Sequence, residues 1–464
     1  MPNTCGRDLY NGSVMSASPQ TSDDLYLPDL KSLSALAVST PAADPATAEK
    51  ILQDANGGPL MHDEAAALLK GLLDHEHSAA VSVAVCAASR DVRVRLFGNN
   101  VVAMAPIELS NACVSDCVFC GWRLSNRAMK RLRLPAELAM LQVEYLIDLG
   151  IHYIEFVSGD DVSVVRELIP RLVRETRALF EKRGVEGKIS FCTLALTEAQ
   201  YADLRSAGAD NMIVWQEAYD PDVYRRHVVG GPKAFGIDDD WRVDKQGNGW
   251  RFRIGSQERA MRAGIEPGLG SMLGLNPDIV TEFLATVDHA RYLSQTYGAT
   301  AEHPMLIGMP IWNHITTRET DLRPRRAPNL EKLFPALAGL YLLSLPSEGT
   351  WVFPNCRVPM KTQIEATRVA GAFSSTEVKL GPGGYLPSIL RNMQERGEDV
   401  KPLMERIRGL VKENGLEMGE LAAVLDEREQ FVHHYHGHDR YLKEMQKAGL
   451  HIIEGVRIPT QGGA

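Results

Sequence analysis

Between residue 101 and about residue 380, short apolar runs alternate with longer amphipathic segments, and this alternation limits the possible folds more than any other feature of the chain. Seven runs read as strands: VVAMAPIELS (101–110), HYIEFVS (152–158), KISFCTL (188–194), NMIVWQE (211–217), GLGSMLG (268–274), PMLIGMP (304–310) and TWVFPNC (350–356). A weaker eighth falls near 374–380. All are short and bounded by turn residues, as strands are. PAELAMLQVEYLIDLG (135–150), SVVRELIPRLVRETRALFEKRG (163–184) and DIVTEFLATVDHARYLSQTYG (278–298) carry the spacing of helices with one buried face. Eight strands alternating with helices predict an α/β fold, a (βα)8 TIM-type or partial barrel rather than an open doubly wound sheet. Chemistry in such a barrel belongs at the C-terminal ends of the strands.

At 464 residues and 44% hydrophobic content, the chain can bury one large core with extensions. The pattern predicts a mobile or loosely structured leader over 1–50, whose composition is rich in Ser, Ala, Pro, Thr and Asp. A helical lead-in over 51–100 follows, then the barrel over 101–385 and a C-terminal helical extension over 386–464 that closes it. Formal charge is −9, from 50 basic and 59 acidic residues. Basic residues are dispersed apart from Arg131 with Arg133 and the group Arg323, Arg325 and Arg326, so no nucleic-acid partner is expected. No apolar run approaches the ~18 residues of a membrane span, and the first residues lack the basic and apolar regions of a secretory signal, so a soluble, cytoplasmic protein is expected.

Of seven cysteines, Cys113, Cys117 and Cys120 fall close together while Cys5, Cys86, Cys192 and Cys356 are scattered. That is a ligand pattern rather than a disulfide framework. The three lie in LSNACVSDCVFCGWR (109–123), directly after the first barrel strand, where their thiolates can wrap one face of a cubane cluster. Soft thiolates select iron-sulfur or zinc, and zinc would need a fourth ligand that does not follow at ordinary spacing. A zinc-stabilised scaffold or a chance cluster are the competing readings.

The three-residue then two-residue spacing, with Phe119 before the third cysteine, resembles the signature of the radical S-adenosylmethionine superfamily. The resemblance implies a [4Fe-4S] cluster whose open iron is chelated by S-adenosyl-L-methionine, with an external one-electron donor such as flavodoxin or ferredoxin. Reduction would release a 5'-deoxyadenosyl radical, which abstracts a substrate hydrogen. Further segments resemble the 2-iminoacetate synthase (tyrosine lyase) and tryptophan lyase branch. IEFVSGDD is similar to its strand-two motif, with Asp in place of Glu, and implies that Ser158, Gly159 and Asp160 meet the cofactor. VWQEAYDPDVYRRH implies the same of Gln216 and Glu217, both facing the barrel mouth. WRFRIGSQERAMRAGI makes Arg253 a candidate for the methionine carboxylate, and GLGSMLGL places Gly270 and Leu273 beside the adenine. With SSTEVKLGPGGY (374–385), the likeness runs over 101–385.

The departures bear on substrate. Met309-Pro310-Ile311-Trp312-Asn313 stands where the lyases carry two arginines, which puts tyrosine or tryptophan in doubt as substrate and sets Trp312 and Asn313 on that wall, with Arg323 later. Arg357 matches the strand-seven arginine and would anchor a substrate carboxylate by a bidentate fork. No cysteine follows Cys356, which excludes the doubly clustered maturase function. Residues 230–250 read as an inserted surface loop and 311–328 as a second long connection. His433, His434, His436 and His438 read as a solvated helix end or packing residues, with no metal assigned. The resemblance implies an enzyme that takes hydrogen from an amino acid or similar small carboxylate and cleaves a C–C bond. A radical mutase or C–C bond-forming enzyme is the alternative, and no catalytic residue is assigned beyond the cluster.

Overall fold

The computed structural model describes residues 25–313, 330–415, 434 and 436–459. The mobile stretch expected for the first 25 residues, the arginines 323, 325 and 326, and His433 lie outside them, except for Leu25 itself. All eight expected strands are present: β1 Asn100–Ser110, β2 Tyr153–Ser158, β3 Lys188–Cys192, β4 Asn211–Ile213, β5 Glu266–Leu269, β6 Met305–Gly308, β7 Thr350–Phe353 and β8 Phe373–Ser375. Every pairing is parallel, in the order β7-β6-β5-β4-β3-β2-β1-β8. A single bridge from Val352 to Gly371 joins β7 to the residues before β8, so the sheet curls into a (βα)8-type barrel with a weak seam.

Alternation along β1 and β2 decides what faces inward. Ala103, Ala105, Ile107 and Leu109 pack outward with Ile154 and Phe156 of β2 against the helices. Met104, Pro106, Glu108, Glu155 and Val157 therefore face the barrel interior, where they line a cavity. A slip of one residue would exchange the two sets.

Two expectations need correction. Residues 30–55 are helical rather than loosely structured, with helices Leu30–Ser39 and Pro45–Ala55 preceding His62–Leu73 and Ser78–Phe97. Asp29 caps the first by accepting from Ser32 N at 3.1 Å, and Asp44 caps the second from Thr47 N at 2.7 Å, with Pro45 opening the helix. Ser, Asp, Thr and Pro here are helix-start chemistry, which composition alone reads as disorder. The lead-in is fixed to the barrel by buried Arg93, whose guanidinium donates to the carbonyls of Thr367, Gly371, Gly98 and Asn100.

The C-terminal extension is not wholly helical. After helices Leu386–Glu395, Lys401–Glu413 and His438–Lys447, a strand β9 (His451–Ile453) pairs in parallel with the start of β1. Three residues are too few for periodicity to register. His436 and His438 are buried: His436 stacks on Tyr441 with ring centroids 4.3 Å apart, and the His438 amide donates to Glu377 at 2.6 Å. They pack; they are not a solvated end. Among the described residues no helix is long and apolar enough to cross a membrane.

Candidate functional site

The loop after β1 has few regular backbone partners, so side chains hold it. Asn111 Oδ1 accepts from Leu132 N at 2.7 Å while its Nδ2 donates to Lys130 O at 2.9 Å. Arg131 donates to four carbonyls of the same loop: Asn111 at 2.6 Å, Trp122 at 2.7 Å, Arg123 at 2.8 Å and Asn126 at 3.1 Å. Side chains thus supply partners where the backbone leaves regular structure. Arg131→Met keeps the aliphatic stem and deletes the fork. It should lower stability by about 2 to 4 kcal/mol, from the cost of charge-assisted bonds lost together. Chemical denaturation reads this, and an unchanged midpoint would show that the loop is held by other contacts.

The stretch after the strand-four helix Pro221–His227 also packs on this loop. Val118 N donates to His227 O at 2.9 Å, Asp116 N to Gly230 O at 3.0 Å, and Val229 N to Asp116 O at 2.9 Å, while Lys233 N donates to Ser115 Oγ at 3.0 Å. At Gly231 (φ 76°) a Cβ would lie 2.3 Å from Val114 O, so only glycine allows this approach. The beginning of the expected surface loop is thus part of the site. It brings in Lys233, which the sequence reading did not single out: its Nζ lies 2.5 Å from Glu217 Oε1 and 5.4 Å from the centre of the Phe119 ring.

Cys113, Cys117 and Cys120 line one pocket with Phe119, Ser158, Gly159, Asp160, Glu217, Lys233, Arg253 and Arg357. Gly159 lies so close to the cysteine loop that a Cβ there would meet Ala112 O at 2.7 Å and Cys113 Cβ at 3.0 Å. Asp160 N donates to Cys113 Sγ at 3.3 Å, and the buried Asp160 Oδ2 has no partner. Glu217 holds a left-handed backbone (φ 69°), uncommon for a residue with a side chain and often found at functional sites. Arg253 Nε donates to Trp215 O at 2.5 Å and its Nη2 lies 3.6 Å from Glu217 Oε1. Burial alone would raise the Glu217 carboxyl, but Lys233 and Arg253 outweigh it and hold the group below its ordinary value. Burial pushes the Cys113 and Cys117 thiols up.

The donor set suits a thiolate-bound cluster with a small zwitterionic ligand. Three thiols share the pocket, yet no three His, Cys, Asp or Glu side chains among the described residues converge as a single-ion site requires. Partnerless buried oxygens on Asp160 and Glu217 can accept from an ammonium, and Arg253 can meet a carboxylate.

No protein-family model matches the chain. It is similar to 2-iminoacetate synthase from Escherichia coli (strain K12), 30% identical over 212 residues, which is 45% of this chain and 50% of that protein. A 3-methylornithine synthase from Methanosarcina acetivorans is 25% identical over 373 residues, 78% of this chain and 91% of its own. The solved structure of HydG, a maturase of the [FeFe]-hydrogenase, superposes with TM-score 0.64 at 23% identity, covering 79% of each chain. The chain is thus similar to the 2-iminoacetate synthases over part of its length. It spans about half the length of the first curated relatives it matches.

Against the motifs of the lyase branch, the pocket gathers the three cysteines, Phe119, Ser158, Gly159, Asp160, Glu217, Arg253 and Arg357. Others expected there lie elsewhere. Gln216 is fully buried and donates to Ala218 O at 3.2 Å, while Glu217, whose left-handed backbone breaks the extended run, turns to the pocket. Leu273 faces the core and Met272 lines the pocket in its place. Gly270 is required by packing, since a Cβ would lie 2.3 Å from Gly308 O. Trp312 packs behind the cysteine loop with Trp122 and Met272, in edge contact with His227, rather than on the substrate wall. Asn313 donates to Arg357 O at 2.7 Å, so it positions that arginine.

Proposed function

We propose that the protein is a radical S-adenosylmethionine enzyme acting on an amino acid or similar small carboxylate, with C–C bond cleavage as its outcome. The carrying observation is one pocket that joins three loop thiols to Asp160, Glu217, Arg253 and Arg357. When bound, a [4Fe-4S] cluster on Cys113, Cys117 and Cys120 and S-adenosylmethionine supply the radical that takes hydrogen from the substrate. The chain's own residues bind and orient. Asp160 and Glu217 accept from the cofactor amine, Arg253 meets its carboxylate, and Lys233 holds Glu217 ionised in the cofactor's absence. Arg357, at the shared edge of this pocket and the inner barrel cavity, fixes the substrate carboxylate. The closed barrel excludes water that would quench the reaction.

Anaerobic incubation of the reconstituted protein with a panel of amino acids tests the reading, scored as substrate-dependent 5'-deoxyadenosine. Conserved substrate mass in the product would replace cleavage by rearrangement. Asp160→Ala should raise the S-adenosylmethionine Kd by roughly tenfold, the value of one charge-assisted hydrogen bond. Equal Kd values for the two proteins would reduce Asp160 to a turn residue.

A further inference from the structure

Next to the cysteine pocket the barrel carries a second cavity of about 90 Å³, walled in part by Glu108, Glu155, Asn355, Cys356, Arg357 and Ser375. None of the features discussed so far accounts for the two glutamates. They stand on adjacent strands, where β1–β2 register sets Pro106 against Glu155 and Glu108 against Val157, so both side chains enter from the same face. Glu155 is 6% exposed and, among the described residues, has neither a hydrogen bond nor an ion pair. Glu108 is 3% exposed and accepts from the Gly381 amide.

Two buried carboxyls side by side are costly. Burial drives each up to about 8, with the charge of Glu155 adding to the rise at Glu108, so both are largely protonated at neutral pH while the cavity holds no cation. Apolar residues of the same size would be more favourable in a cavity that stayed empty. Arg357 shares the wall of this cavity with them. The cavity therefore carries a guanidinium on one part of its wall and, on another, two buried carboxyls that an incoming cation would draw into their ionised form.

We propose that Glu108 and Glu155 form the binding site for a protonated amine of the substrate, held while the substrate carboxylate lies on Arg357. The site rests on the functional reading above and deepens it: the substrate class becomes a carboxylate that also carries an ammonium group reaching the inner end of the barrel. A hydroxyl carries no charge that would draw the carboxyls into their ionised form. A divalent ion would need more oxygen ligands than this wall provides.

The probes are 5-aminovalerate, 5-hydroxyvalerate and valerate, which differ at one end only, together with the three- to six-carbon homologues of each. Their dissociation constants on the reconstituted protein can be measured by isothermal titration calorimetry. At the best chain length the amine should bind at least roughly tenfold tighter than the alcohol, as a charge-assisted bond to a desolvated carboxylate requires. In Glu155→Gln that ratio should fall to near one while valerate binds as before, and Glu108→Gln should weaken the preference in the same direction. Both substitutions preserve volume and put a neutral amide in place of a buried carboxyl, so the fold should tolerate them, which a melting curve verifies. An absence of amine preference at every chain length, or a preference that survives in Glu155→Gln, overturns the proposal. Substrate-free S-adenosylmethionine cleavage by the wild-type protein is measured on the same samples. Its absence alongside an intact amine preference breaks the radical reading and leaves the cation site, whereas cleavage without the preference breaks the cation site alone.

Discussion

Alanine at Cys113, Cys117 or Cys120 is expected to give a colourless protein that cleaves no S-adenosylmethionine. Each thiolate would hold a different iron, so losing one leaves two irons without protein ligands and no cluster of the right form. The pocket offers no ready replacement. Cys192 also lines it, but its thiol is fixed on β3 and pushed up by burial, with Glu155 adding to the shift. Cys86 lies on the lead-in helix Ser78–Phe97, away from the barrel mouth. Iron and sulfide analysis with visible spectra measures the first half of the result, and 5'-deoxyadenosine formation the second. A single alanine variant that still cleaves the cofactor would sink the assignment of these cysteines. Because the loop is held by Arg131 and Asn111 rather than by the thiols, the variants should remain folded, which separates this loss from collapse.

The same distinction shows what could be read from the sequence. β1 and β2 were legible because an outward apolar set alternates with an inward one, and the cysteine loop because its three ligands lie within one short stretch of chain. Lys233 was not, since nothing in GGPKAFGIDDDWR signals that this stretch returns to pair with Asp116 and Val118; that contact depends on Gly231 and on tertiary approach alone. Gln216 and Leu273 show the opposite error. A matching motif places a residue at the right point of the chain, but the backbone beyond the ends of β4 and β5, left-handed at Glu217, decides which neighbour, Glu217 or Met272, turns to the pocket. Glu155 sits in a run that reads as an ordinary strand, and only the register with β1 reveals that its charge faces another carboxylate.

Arg357→Lys is expected to lower substrate-dependent product by roughly a hundredfold, the size of effect that follows when a bound reactant loses its orientation. Arg357 lies in the turn after β7, on the face where the cysteine pocket opens. Its backbone is fixed from two sides, by Asn355 Oδ1, which accepts from Arg357 N at 3.1 Å, and by Asn313 Nδ2, which donates to Arg357 O at 2.7 Å. That leaves the guanidinium to line both the cysteine pocket and the inner cavity. Burial lowers it to about 10, so the group stays charged at neutral pH and can take a carboxylate through two parallel hydrogen bonds. Lysine supplies the charge without the planar fork, and the substrate could then rotate about a single contact. The loss should therefore fall on product formation and its coupling to cofactor cleavage, with iron content unchanged. Product formed at the normal rate would place the carboxylate elsewhere, and loss of the cluster would make Arg357 a structural support of the loop.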